Sequence, residues 1–309
     1  MERLDRDKTT FGRHQTFPLR FSWPTKGFAH WCEGHDIFNH DDPTIALGVG
    51  KNMVTSIRYW LEAAQIIKSH GISIEPTDLG NTLLSPSRGY DRYLEDDNSV
   101  WLLHWNIASN ARFATSFFWF FNHFHKPEFT TREVVAALTE YLRDKLSIGV
   151  ASNTIESDVS VLTRMYGPAI EDRSTPLEET LQSPMSALGL LDLSTDGKRI
   201  TSKTGVRHEL PLPAFGYAVL DLLECLNETS IPIKRLHVAE EHLAAPGSVF
   251  RLSEEGLVAK LEELTQWRPD IFEVRETAGL HQVYKLSEIQ KNQLLIDYFM
   301  TTHNSEKSA

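Results

Sequence analysis

The stretch Asp41-Asp42-Pro43-Thr44-Ile45-Ala46-Leu47-Gly48-Val49-Gly50-Lys51-Asn52-Met53-Val54-Thr55-Ser56-Ile57-Arg58-Tyr59-Trp60-Leu61 decides the fold of this chain. Thr44–Leu47 reads as a short helix, Gly48-Val49-Gly50 as the turn after it, and a second helix is expected from Lys51 to about Lys68. On that helix Val54, Ile57, Leu61 and Ala64 recur at three- and four-residue spacing and define one buried face. Asn52, Thr55 and Tyr59 fall opposite it, Lys51 and Arg58 lie on one shoulder, and Ser56 lies on the other. A turn at His70-Gly71, a short extended piece at Ile72–Ile74, and Thr77-Asp78-Leu79-Gly80 follow. Helix, turn, helix and extended pair is the order of a winged helix-turn-helix, whose second helix enters a DNA groove.

The same order recurs loosely twice more. Between the first and second units lies an aromatic segment, Trp101 to His125, in which Trp101 and Trp105, then Phe113 and Phe117, are one helical turn apart and Phe120, Phe121 and Phe124 continue the stripe. Such a stripe is expected to face a core, although exposed aromatics would stack on bases. Thr130 with Glu133 forms a capping box ahead of a helix running to about Leu146. Asn153 is expected to cap a helix at Thr154–Tyr166, and residues 168–184 read as a loop. Ala187–Leu191 with Asp196-Gly197-Lys198 reads as a second wing. In the third unit Phe215–Leu226 and Glu254–Trp267 read as helices, the latter capped by Ser253, with strands at Ile271–Val274 and Gln282–Leu286. The expected fold is therefore mostly α (α+β). Several winged-helix-like modules are joined by an aromatic-rich helical segment, with divisions at 1–128, 129–208 and 209–309.

The chain has 309 residues and a net charge of −11, which excludes a whole-surface grip on nucleic acid. The charge is uneven. Residues 1–60 carry eight Lys/Arg against seven Asp/Glu, or +1, which leaves −12 for the rest. Any polyanion contact is thus expected in the N-terminal part. Two cysteines exclude a disulfide framework, and the charged N-terminus lacks the apolar core of a signal peptide, so a cytoplasmic protein is expected. The longest apolar aromatic run, Phe117–Phe121, is far short of a membrane span.

Gly48-Val49-Gly50-Lys51 invites a phosphate-loop reading, but Ile45 stands where that loop needs Gly and Asn52 where it needs Ser or Thr. No nucleotide is expected. The glycines still expose backbone N–H groups at a helix start, where a DNA phosphate fits. Arg13-His14-Gln15-Thr16-Phe17-Pro18-Leu19-Arg20 packs two arginines, a histidine and a glutamine into eight residues. Arg13 and Arg20 suit phosphate, and His14 suits general acid–base work. The plainer reading has His14 and Gln15 pinning the chain by hydrogen bonds. Asp41 and Asp42 are candidate ligands for Mg²⁺ or another divalent metal. Cys32, His35 and His40 form a weaker candidate metal cluster.

Phe11–Arg20, Trp23, Lys26-Gly27, Leu47–Val54 and Ile57–Trp60 resemble the SspB-like family of bacterial DNA phosphorothioation subunits, long filed as a domain of unknown function. Ser183-Pro184, Leu188–Leu190 and Pro246–Phe250 are similar to it too. The resemblance implies a phage-defence role on genomic DNA. It also implies an ATPase and a sulfur-transfer ATP-pyrophosphatase-like protein as partners, and a strand nick through which sulfur is inserted. It carries over no catalytic motif residue by residue. Gln15, Lys26, Lys51, Asn52, Thr55, Ser56, Arg58 and Tyr59 are the expected contacts to double-stranded DNA. His14, Arg13 and Arg20 are the candidate catalytic group of a metal-dependent nickase. A non-catalytic DNA scaffold and a winged-helix transcriptional regulator are the alternatives, and the sequence leaves a homodimer open.

Overall fold

The computed structural model describes residues 1, 3–32, 38, 42–71, 73–168, 183–196, 198–240, 242–277 and 280–306. Asp41, His35, His40 and nearly all of the 168–184 segment lie outside them. Three helices open the chain: α1 (Trp23–Cys32), α2 (Pro43–Leu47) and α3 (Lys51–Ala63). Asp42 caps α2 by accepting the N–H groups of Thr44 and Ile45, and Gly48 ends it at φ +57°. Gly27 lets α1 and α3 meet closely, since a Cβ there would stand 2.7 Å from Ile57 and Leu61.

The second helix stops at Ala63, short of the Lys68 that periodicity suggests. Gln65 turns left-handed at φ +56°, and the Ile66 N–H bonds back to the Leu61 carbonyl. The chain then forms an antiparallel hairpin, β1 (Ile67–His70) with β2 (Ser73–Pro76). β-branched Ile66 and Ile67 favour that extended course over another helical turn. Thr77 does not continue a strand. Its hydroxyl accepts the Gly80 N–H and starts α4 (Asp78–Leu84).

The aromatic segment is two helices, α5 (Asp97–Ala108) and α6 (Thr115–His123). Asn110 makes the break: its amide donates to the Ala63 carbonyl (3.0 Å) and its carbonyl accepts the Phe113 N–H (3.1 Å). Trp101, Phe117 and Phe121 are buried, as a core stripe requires, and α5 is buried on all sides from Asn98 to Ala108.

Two further sets of elements follow. The first is β3 (Glu128–Phe129), α7 (Thr131–Asp144), α8 (Ser152–Tyr166), β4 (Asp192–Leu193) and β5 (Ile200–Thr201). Thr130 and Glu133 complete the capping box on α7. The α8 N-cap is Ala151, so Asn153 lies inside the first turn rather than capping it. The Ala187 stretch is the end of a 3-10 turn (Pro184–Leu188), and the strand pair forms further on, at β4 and β5.

The second set is α9 (Leu212–Leu226), β6 (Ser230–Pro232), α10 (Ile233–His237), α11 (Pro246–Val249), α12 (Glu254–Trp267), β7 (Phe272–Thr277), β8 (Leu280–Lys285) and α13 (Lys291–Glu306). Each set holds a three-stranded antiparallel sheet in which the first strand lies beside the third: β3-β5-β4 and β6-β8-β7. Buried side chains from all parts join one continuous hydrophobic core. No helix of the described residues is long and apolar enough to cross a membrane.

Polar groups tie the parts together inside that core. Asp221 on α9 accepts the Trp105 indole N–H from α5 (2.9 Å) and pairs with Lys291 of α13 (2.6 Å). His104 on α5 lies between Tyr166 of α8 (Nδ1 to Oη, 2.8 Å) and the Val249 carbonyl of α11 (Nε2 to O, 2.9 Å). Since Val249 only accepts, Nε2 carries the proton and Nδ1 accepts from the tyrosine. Burial is the main cause that pushes the His104 pKa down to about 3; Arg251 and Arg207 add to it, while the Val249 bond opposes it.

The unfolded chain therefore binds a proton at His104 that the folded chain refuses. Stability from this site is complete above about pH 6.5 and is lost as pH falls toward 3, at about 1.4 kcal/mol per pH unit. Urea unfolding at pH 7, 6 and 5 should show this, with a shallower slope in His104→Gln. Equal slopes in both proteins would rule it out.

Candidate nucleic-acid interface

The Arg13–Arg20 segment is a sharply bent loop laid between α3 and α8. Gly12, Gln15 and Thr16 have φ of +69°, +50° and +66°. For Thr16, a β-branched residue, that is a strained conformation held by its surroundings. The surroundings are specific. Asp158 of α8 accepts the Gly12 N–H (2.8 Å) and His14 Nε2–H (2.8 Å) on one oxygen and the Ser116 hydroxyl (2.5 Å) on the other. The Thr16 N–H donates to His14 Nδ1 (3.1 Å), and Arg164 of α8 donates to the Thr16 carbonyl (2.7 Å). On the α3 side the Trp60 indole N–H reaches the Phe17 carbonyl (3.0 Å), and the His14 ring stacks on Trp60 at 6.2 Å between centroids.

His14 is therefore buried, with both ring nitrogens engaged in holding the loop. Arg13 is exposed and has no partner among the described residues. Arg20 is half-buried, with its guanidinium 5.4 Å from the Trp23 ring and 5.9 Å from the Phe17 ring.

The helix contacts expected from sequence divide into two groups. Lys51, Asn52 and Thr55 are exposed on the first turns of α3, and no side chain caps that helix at Gly50. Lys26 belongs with them: the close α1–α3 seam brings Nζ to 3.9 Å from where a Gly48 Cβ would be. Ser56 and Tyr59, in contrast, are buried. Burial and then the charge of Asp158 push the Tyr59 phenol well above its usual pKa. The apolar face of α3 is wider than the stripe through Val54 and Ile57, because α1, the N-terminal loop and α6 all pack on it. Arg58 is half-buried and engaged by Glu62 (3.5 Å) and the Ser69 hydroxyl (3.3 Å), so its charge is partly neutralised.

Asp42 is occupied as a helix cap, taking the Thr44 hydroxyl at 2.6 Å as well. Among the described residues no three His, Cys, Asp or Glu side chains come together to hold a metal. Asp42, engaged as the α2 cap, does not by itself make a magnesium site, which needs several oxygen ligands converging on one point. Two participants escaped sequence reasoning: Asp158 and Arg164, both on α8. Asp158 leaves one trace, a carboxylate set among Ile155, Val159 and Leu162 on the apolar face of its helix.

The fold and this site together define a multi-part α-rich protein whose exposed cations Arg13 and Lys51, without partners among the described residues, sit at its N-terminal end. The chain belongs to the family described as "Protein of unknown function (DUF4007)", whose model matches residues 11–299. Two solved structures are similar over nearly the whole chain. "Magnesium ion-bound SspB crystal structure" is 28% identical with a TM-score of 0.82, covering 98% of this chain and 91% of that one. "SspB crystal structure" is also 28% identical with a TM-score of 0.82, covering 97% and 89%. This is an SspB-like protein. Among curated proteins none matches.

Proposed function

We propose that the protein is the DNA-contacting subunit of a DNA phosphorothioate-modification system. It grips double-stranded DNA with Arg13, Gln15, Lys26, Lys51, Asn52 and Thr55 and presents it to ATPase and sulfur-transfer partners. The observation that carries this reading is the pair of exposed cations, Arg13 on its loop and Lys51 at the α3 start, that have no partner among the described residues of an otherwise acidic, SspB-like chain. Cations that are already paired release few counterions; free ones bind phosphate strongly.

Connectivity supports winged-helix modules. In the second and third sets a strand, then helices, then a hairpin build a sheet with the first strand beside the third, which is the order such modules use. Charge then separates them. The third-set helix α12 exposes Glu254, Glu255, Glu262 and Glu263, which repel phosphate, so the DNA role falls to α3.

Nicking of one strand is the further reading, favoured by the magnesium-bound structure among the similar ones. Arg13 and Arg20 would then stabilise charge on the attacked phosphate. His14, with both nitrogens occupied, would position the loop rather than move a proton. Supercoiled plasmid incubated with the protein and Mg²⁺ should convert to open circles, and a chelator should prevent it. Intact supercoiled plasmid that nevertheless co-migrates with the protein would leave the DNA-presenting scaffold and remove the nickase.

A further inference from the structure

We propose that Asp158 is a positioning residue for the DNA-contacting loop, holding the Gly12–Thr16 turn in its left-handed form so that Arg13 is fixed toward DNA; this rests on the DNA reading above. Asp158 is 3% exposed and 146 residues from Gly12. A buried carboxylate is costly unless its oxygens are well satisfied. Among the described residues no Lys or Arg pairs with it. Its partners are the Gly12 backbone, the His14 ring and the Ser116 hydroxyl.

Two of those three bonds act on the loop backbone, the second through His14, whose other nitrogen takes the Thr16 N–H. Arg164, from the same helix, takes the Thr16 carbonyl. Helix α8 thus grips both polar groups of the strained Thr16 peptide, one directly and one by way of His14. An apolar side chain in place of His14 would fill the same space against Trp60 but would leave the turn free. The arrangement spends a buried carboxylate on the conformation of the loop, and the side chain that conformation displays is the exposed Arg13, which has no partner among the described residues. Strain concentrated at one exposed turn and held by a distant helix is a mark of a working site.

The test uses the full chain and a fluorescein-labelled DNA duplex, with affinity measured from 50 to 200 mM salt. Asp158→Ala should lower affinity about tenfold and reduce the slope of log K against log salt by about 0.9, the loss of one phosphate contact. Asp158→Asn keeps a carbonyl oxygen for Gly12 and His14 and should stay within about threefold of wild type with an unchanged slope. Gly12→Val disturbs the same grip from the loop side, because a Cβ there meets Thr154 at 3.0 Å at a left-handed φ. It should reproduce the Asp158→Ala slope even where Asp158→Ala fails to fold.

A general loss of stability would lower affinity without changing the slope. Arg13→Glu is the control. Wild-type binding by Arg13→Glu overturns the DNA reading on which the proposal rests. Weakened binding by Arg13→Glu, with Gly12→Val at the wild-type slope, overturns the positioning role alone.

Discussion

Arg251→Ala should destabilise the protein by about 3–5 kcal/mol, since it strips a buried, fully hydrogen-bonded charge from the core and leaves its acceptors unpaired. Arg251 is 3% exposed and has no carboxylate partner among the described residues. Its guanidinium instead donates to the carbonyls of Phe120 (3.0 Å), Phe121 (3.3 Å) and Phe124 (3.1 Å) and to the Ser202 hydroxyl (3.1 Å). Those carbonyls are the unsatisfied end of α6, where the helix dipole is negative and a cation is favoured. The same group lies 5.3 Å from the ring centroids of Phe120 and Phe121.

Burial, with a smaller contribution from Arg207, lowers its pKa to about 9, so the charge is present at neutral pH. Lysine cannot reproduce the planar fork, and Arg251→Lys should recover only part of the loss. Urea unfolding followed by tryptophan fluorescence measures both. An Arg251→Ala midpoint equal to that of wild type would show that the α6 end is satisfied by other means.

The second large effect is on DNA. Arg13→Glu combined with Lys51→Glu should weaken duplex binding at least a hundredfold near 100 mM salt and lower the salt slope by about two. Sequence pairs Lys51 with Arg58 for this purpose. The structure favours Arg13 instead, because Arg58 already interacts with Glu62 and Ser69, while Arg13 and Lys51 are exposed and unpaired among the described residues. Neither side chain touches the core, so the thermal midpoint should stay within a few degrees of wild type. A stable double variant with undiminished affinity would place the DNA elsewhere.

What was legible in the sequence follows the range of the forces involved. Local signals read correctly: the Thr130–Glu133 capping box, the Ser253 cap and the helical aromatic stripe each depend on residues three or four apart. Element ends set by distant contacts did not. The helix from Lys51 stops at Ala63 because Ile67 and Lys68 pair with a strand nine or seven residues on, a contact periodicity cannot see. The aromatic segment divides at Asn110 because that side chain binds Ala63, 47 residues earlier.

The candidate site divides the same way. Exposure of Lys51, Asn52 and Thr55 follows from one apolar stripe, but burial of Tyr59 and Ser56 depends on the loop and helices that pack over α3. His14 looked reactive among polar neighbours, yet its ring is enclosed by Trp60, Tyr59 and Asp158, which lie 45 to 144 residues away in sequence. Arg251 appears in sequence as a charge inside the apolar run Val249–Leu252, and Asp158 as a carboxylate on the apolar face of its helix, with Ile155, Val159 and Leu162. That pattern alone marks a buried polar anchor without naming what it anchors.

Amide hydrogen exchange with and without a DNA duplex shows whether DNA binds the N-terminal face of this SspB-like protein, as proposed. Exchange should slow in residues 10–20 and 44–60 on adding DNA, with α12 and the β7–β8 hairpin unchanged. Protection confined to α12 and that hairpin, with residues 10–60 unaffected, would contradict the proposal.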